Sequence, residues 1–201
     1  MRIVRRSNFF LLLIVLCLNL LSCLSSESPK TPKTAEDTQR EWALRLEKPG
    51  LPNFHRVTKD LYRGAQPTKE GIGRLKEMGI KTIVNLRSFH SDRDEIGNLE
   101  FDYEHIKMQA WHPEDEDVIR FLKIVTDKDR TPVFVHCQHG ADRTGLMCAI
   151  YRIAVCGWNK NEAIKEMVEG GFGYHKIWKE LVKYIEELDV DGLKEKAGLA
   201  K

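Results

Sequence analysis

The apolar residues of this chain fall into short runs that alternate with amphipathic stretches. Leu61-Tyr62-Arg63 predicts a short strand stopped by Gly64, and Pro67-Thr68 opens a helix through Met78 that Gly79 ends. Residues 81–86 (KTIVNL) form a β-branched apolar run expected as a buried strand, and residues 101–108 alternate as a second strand would. Pro113 then starts an acidic first turn, and a helix over residues 114–127 puts Val118, Phe121, Leu122 and Val125 on one face. Residues 132–136 (PVFVH) are the most apolar strand. Helices are expected over residues 143–155, 160–169 and 174–188, with the glycine-rich stretch 170–176 as a loop. Strands alternating with helices predict a single α/β domain, a mainly parallel central sheet flanked by helices.

The two ends depart from this pattern. Arg2, Arg5 and Arg6 precede an apolar run over residues 9–18, too short for a comfortable membrane span of about 20 residues. Leu20-Leu21-Ser22-Cys23 follows and resembles a bacterial lipoprotein signal, which implies lipidation at Cys23 and residues 1–23 as leader. An uncleaved signal anchor and ordinary secretion are the alternatives. Each takes the chain out of the cytoplasm, and the lipoprotein reading anchors it to a membrane at a periplasmic or cell-surface face. Residues 24–50 are rich in Ser, Thr, Pro, Lys and Glu and are expected as a flexible tether, with a short helix around residues 39–46. The domain is placed at residues 51–189, and the tail 190–201, broken by Gly192 and Gly198, is expected to fray.

Composition narrows the chemistry. Hydrophobic residues make up 42% of the 201, enough for one core, and the net charge is only +2 with both signs interspersed. No concentrated basic stripe marks nucleic-acid binding. The five cysteines include no C-x-x-C pair, so neither a disulfide scaffold nor a metal ligand set is expected, and no cofactor. Cys148 and Cys156 lie in apolar stretches and read as core residues. Cys137 lies between a predicted strand and a predicted helix, where ligand sites of such sheets form. The loop His136-Cys137-Gln138-His139-Gly140-Ala141-Asp142-Arg143-Thr144 points several backbone amides at one spot, an anion nest reinforced by the helix end. The same field favours a thiolate at Cys137. Arg143 can hold two phosphate oxygens in a bidentate fork, Gly140 permits the tight turn, and Thr144 can place a hydroxyl near the sulfur. These parts suit attack on phosphorus through a cysteinyl-phosphate.

His136-Cys137, five residues, then Arg143-Thr144 resembles the H-C-x5-R-[S/T] signature of protein tyrosine and dual-specificity phosphatases. Leu61-Tyr62-Arg63-Gly64-Ala65-Gln66-Pro67 and Asn85-Leu86-Arg87 resemble the bacterial and plant/fungal atypical branch of that superfamily, which includes enzymes acting on inositol phosphates. The resemblance covers residues 54–188. It implies a metal-independent phosphomonoester hydrolase acting on phosphotyrosine, other phosphoprotein or inositol phosphate substrates, with His136, Gln138, His139, Gly140, Ala141 and Thr144 around the phosphate. A rhodanese-type sulfurtransferase, whose cysteine loop is commonly one residue shorter, and a phosphate-binding module without turnover are the competing readings.

In this family an Asp on a neighbouring loop usually protonates the leaving oxygen, but at the corresponding place the chain has Gln109 or Ala110. Two candidates stand in. Asp115 lies past Trp111 and Pro113 on a loop-to-helix junction, and Asp142 lies inside the cysteine loop in an order resembling myotubularin-type phosphatases. The competing roles are a helix-capping charge for Asp115 and a brace on Arg143 for Asp142. Arg63 and Arg87 are placed at the pocket mouth, Asn85 against the cysteine loop, and His175 near substrate.

Overall fold

The computed structural model describes residues 40–109 and 111–200. Its centre is a six-stranded sheet in the order β1 (Leu44–Arg45), β2 (His55–Arg56), β3 (Leu61–Gly64), β6 (Val133–His136), β4 (Thr82–Asn85), β5 (Asp102–His105). The last four in that order run parallel, and β1 and β2 add an antiparallel edge. Apolar side chains on both faces of a strand give continuous apolar runs, which is why 81–86 and 132–136 read so clearly. Along β4, Ile83 faces one core and Val84 the other; along β6, Phe134 and Val135 divide in the same way.

Helix α1 (Lys69–Glu77) covers the first face with Ile72 and Leu75. It starts where Thr68 accepts a hydrogen bond from the Gly71 amide and stops before Gly79, whose φ is 77°. Helix α2 (Arg93–Ile96) is one short turn after β4. The second face is covered by α3 (Asp115–Thr126), α4 (Asp142–Ala154), α5 (Lys160–Glu169), α6 (Lys179–Glu187) and α7 (Val190–Ala197). The predicted stripe of α3 is buried as expected, whereas α4 is buried almost all round and has no polar face. A capping box of Asn159 and Glu162 begins α5.

The boundaries need correcting at both ends. Residues 44–45 pair with β2 instead of forming a helix or belonging to a tether, so the folded unit begins at Glu41, not residue 51. A buried pair holds this start: Glu166 bonds the Arg152 guanidinium at 2.8 and 2.9 Å and accepts from the Ala43 amide. The tail does not fray. Asp189 caps α7 through the Gly192 amide, Leu193 and Ala197 enter the core, and Gly198 ends the helix at φ 75°. Helix α6 starts at Lys179, and residues 174–178 are irregular instead of helical. The leader and Cys23 lie outside the described residues, among which no helix is long and apolar enough to cross a membrane.

Candidate active site

Strand β6 delivers the chain to Cys137 at the carboxyl end of the sheet, and α4 begins five residues later. Between them three successive carbonyls are held from outside the loop. The Gln138 carbonyl accepts from the Gln66 amide at 3.2 Å, His139 from the Asn53 side chain at 2.9 Å, and Gly140 from the Arg63 guanidinium at 2.7 Å. In a trans peptide the N–H points opposite the carbonyl, so these bonds turn the His139, Gly140 and Ala141 amides inward. Together with the start of α4 they make a nest for an anion. Cys137 lies on its floor, 1% exposed.

Arg143 is held for the same purpose. Its Nη1 donates to the carbonyls of Leu86 at 3.2 Å and Met108 at 3.4 Å, which follow β4 and β5. Its Nε is buried with no hydrogen-bond partner. One edge of the guanidinium is thus fixed to the scaffold and the other is left for the two oxygens of a bidentate contact.

Arg63 does not line the pocket mouth. It is 1% exposed, stacks 3.7 Å above the Phe172 ring and bonds Gly140 from beneath, because its strand position points it into the protein. Burial lowers its pKa, and the neighbouring Cys148, Glu166 and Cys137 work the other way. Gly140 has φ 69°, and a Cβ there would sit 2.4 Å from the Gly64 carbonyl carbon. The glycine of the Leu61–Pro67 motif and the glycine of the cysteine loop are therefore one close packing contact.

Three other placements change. His136 does not line the nest but backs it, fully buried, with Nε2 bonded to Asp92 Oδ2 at 2.7 Å and Nδ1 3.2 Å from the Cys137 carbonyl. Asn85 bonds the His90 carbonyl, the Tyr103 hydroxyl and the Arg87 amide, tying down the loop after β4 instead of the cysteine loop. Thr144 is buried and its hydroxyl has no hydrogen-bond partner, so the expected bond to the sulfur is not formed. Arg87 is half-buried and donates to Gln66, which itself donates to Asp92 at 2.7 Å, so a chain Arg87–Gln66–Asp92–His136 backs the nucleophile. Burial opposes ionisation of Asp92, but the bonds from His136 and Gln66 outweigh it and hold its carboxyl below the ordinary range. Cys148 is pushed up to about 11, by burial first, and stays an inert core thiol.

Both acid candidates are occupied. Asp115, at the start of α3, accepts a 2.6 Å bond from the Tyr184 hydroxyl, whose pKa rises through burial and that partner. Asp142 accepts from the His175 backbone amide at 2.9 Å and pairs with His175 Nδ1 at 2.9 Å. It braces the 170–176 loop, not Arg143. His175 also lies beside His139, ring centroids 5.5 Å apart, so that loop reaches the site as expected. Among the described residues, two groups of imidazole and carboxylate atoms have metal-ligand proximity: His139, Asp142 and His175 on the rim, and His90, Asp92 and Glu95 behind His136. Phe89, Trp111 and Ile177 are exposed, and the Trp111 ring stacks on Trp178 with centroids 6.4 Å apart.

Asn53, Gln66, Asp92 and Phe172 hold the site but were missed. Gln66 belongs to the Leu61–Pro67 motif, in which the sequence alone assigns it no role. Asn53, with φ 52° and bonds to the His139 and Phe172 carbonyls, carries no local signal.

A family model described as "DSP-PTPase phosphatase fused to NAD+ Kinase" matches residues 47–180. The chain belongs to the dual-specificity protein tyrosine phosphatases. It is 34% identical over 162 residues to "Dual specificity protein phosphatase TpbA" of Pseudomonas aeruginosa, covering 80% of this chain and 73% of that protein. A crystal structure of P. aeruginosa TpbA in a cysteine-to-serine form, in complex with pTyr, superposes at TM-score 0.71, with 32% identity and coverage of 81% and 99%. "Inositol diphosphatase DSP5" of Arabidopsis thaliana is 27% identical over 160 residues, 72% of this chain and 73% of that one. Membership decides for a cysteine-dependent phosphatase over a sulfurtransferase. In this dual-specificity phosphatase the anion nest, Cys137 and the half-anchored Arg143 form one unit.

Proposed function

We propose that the enzyme hydrolyses phosphomonoesters with weakly basic leaving groups, phosphotyrosine foremost, through a cysteinyl-phosphate. The Cys137 thiolate attacks phosphorus in the nest, the Sγ–P bond forms and the P–O bond to the leaving group breaks. Water then attacks phosphorus, inorganic phosphate leaves and the thiolate returns. Arg143 and the loop amides hold the phosphoryl oxygens throughout.

One observation carries the substrate preference: Asp115 Oδ1 is bonded by the Tyr184 hydroxyl, and both Asp142 oxygens are taken up by His175. General acid catalysis contributes about 10²–10⁴-fold, most for strongly basic leaving groups. A site whose candidate acids are engaged favours a phenolate, and the exposed Trp111, stacked on the half-buried Trp178, offers an aromatic surface for it. The same reasoning admits a phosphoanhydride, whose leaving phosphate is also weakly basic, and the inositol diphosphatase relative supports that second reading.

A panel tests this: phosphotyrosine peptide, nitroaryl phosphate, inositol diphosphate, phosphoserine peptide and an inositol monophosphate. Aryl and diphosphate substrates are expected to exceed the alkyl phosphates by about 100-fold or more in kcat/KM. Equal rates on both groups mean that an acid operates. Asp142→Asn then identifies it, by a loss confined to alkyl substrates if Asp142 is that acid, and Asp115→Asn does the same for Asp115. Chain export with lipid on Cys23 is part of the same proposal, supported by the leader composition. Cys23→Ala should move the protein out of the membrane fraction, and a mature chain beginning at Met1 would show an uncleaved anchor instead.

A further inference from the structure

Behind His136, on the side away from the nest, one imidazole and two carboxylates face each other without bonding. His90 Nε2 lies 3.6 Å from Asp92 Oδ1 and 3.5 Å from Glu95 Oε1. Ordinary N–H···O bonds close to about 2.7–3.2 Å, as the Asp142–His175 pair has done at 2.9 Å. His90 Nε2 and Glu95 Oε2 are also shielded from solvent with no hydrogen-bond partner, a costly state for polar atoms. Two ligands that share a zinc ion, with bonds of about 2.0–2.2 Å at tetrahedral angles, stand about 3.3–3.6 Å apart. The two spacings from His90 fit ligands of one shared ion.

The surroundings are those of a built site. Asp92 is fully buried, and its carboxylate is oriented by His136 Nε2 and Gln66 Nε2, each at 2.7 Å. The backbone on either side is pinned, with the His90 carbonyl bonded by Asn85 and the Asp92 amide by the Tyr103 hydroxyl. Glu95 lies on α2, three residues beyond Asp92, so the spacing His90-x-Asp92-x-x-Glu95 brings all three to one point.

We propose that His90, Asp92 and Glu95 bind one zinc ion, with water completing the coordination. One nitrogen and two carboxylate oxygens suit zinc in preference to magnesium, which favours oxygen ligands throughout. The ion takes no part in phosphoryl transfer. It reaches the nucleophile only through Asp92 and His136, and its role is to lock the loop after β4 against the strand that carries Cys137.

The full chain, stripped with a chelator, is titrated with zinc against a chromophoric competitor, and with cobalt as a spectroscopic probe. One equivalent of zinc is expected, with visible cobalt bands of a tetrahedral nitrogen–oxygen site and a higher melting temperature on loading. His90→Ala and Glu95→Gln should each weaken zinc at least about tenfold and abolish the thermal shift. No zinc bound at micromolar concentration overturns the proposal. So does equal binding by wild type and both variants, or binding lost in Cys137→Ser or His139→Ala but kept in His90→Ala, which would put the ion at the nest.

Discussion

The floor and the rim of this active site are built to different standards. On the floor, each loop carbonyl from Gln138 to Gly140 has a partner from a different segment, and Gly140 packs against Gly64 with no room for a methyl group. On the rim, residues 109 and 111–114 are held by a bridge between Gln109 and His112, one aromatic stack and an exposed 3.8 Å contact between His112 and Glu114. The floor reads only a phosphoryl group, which every substrate shares, so its geometry must be rigid and is braced from the core. The rim meets the rest of the substrate, and its acidic residues are spent on packing: Asp115 on Tyr184 and Asp142 on the 170–176 loop. In the proposed reaction, phosphate capture and the choice of leaving group thus fall to separate parts of the molecule.

Breaking the floor should have the largest effect. Cys137→Ser is expected to reduce aryl phosphate turnover by at least about 10³-fold while the melting temperature stays close to wild type, because a serine hydroxyl stays protonated in this nest. Residual activity within about tenfold would remove the covalent mechanism. Next comes Gly140→Ala. Its Cβ would meet the Gly64 backbone at 2.4 Å in a left-handed conformation, so the loop must shift, and a loss of about 100-fold in kcat/KM is expected, with phosphate affinity falling in parallel. Unchanged phosphate binding in that variant would mean that the loop tolerates movement.

Rim substitutions should do less. Trp111→Ala is expected to raise KM for a phosphotyrosine peptide about two- to tenfold and to leave a small alkyl phosphate untouched. An equal loss on both would make Trp111 part of the floor. The smallest effect is expected at β5, which leads into the rim. Bonds from Arg130 and Arg120 hold Glu104 below the ordinary carboxylate range, although burial opposes them. A carboxylate so depressed stabilises the fold above its unfolded pKa and loses that contribution as pH falls through its lower folded value. Glu104→Gln should therefore narrow the drop in melting temperature between neutral and strongly acidic solution, by the small amount that partly exposed pairs allow. An unchanged drop would show that the pairs contribute nothing.

Legibility followed the same division. Residues 81–86, 114–127 and 132–136 were readable because periodicity and β-branching act locally and these elements bury what the pattern says they bury. Residues 190–201 were misread because Gly192 looks like a breaker in sequence, whereas its amide is the donor to the Asp189 cap. Arg63 was misplaced because an arginine near the end of a strand normally faces water. Here the stack on Phe172, 109 positions along the chain, and the Gly140 carbonyl make burial tolerable.

The sequence by itself determined the kind of centre: a cysteine, five residues, an arginine and a helix behind them mark the loop of a cysteine-dependent phosphatase. That information is local, since backbone amides and a helix start need only neighbouring residues. Which side chains brace the nest, and which carboxylates stay free, was decided only by the tertiary structure. Asn53, Arg63, Gln66, Asp92 and Phe172 come together through strand order and loop packing. Hydrogen bonds between residues far apart in the chain leave no periodicity to read, and the same packing that closed the floor engaged Asp115 and Asp142 elsewhere.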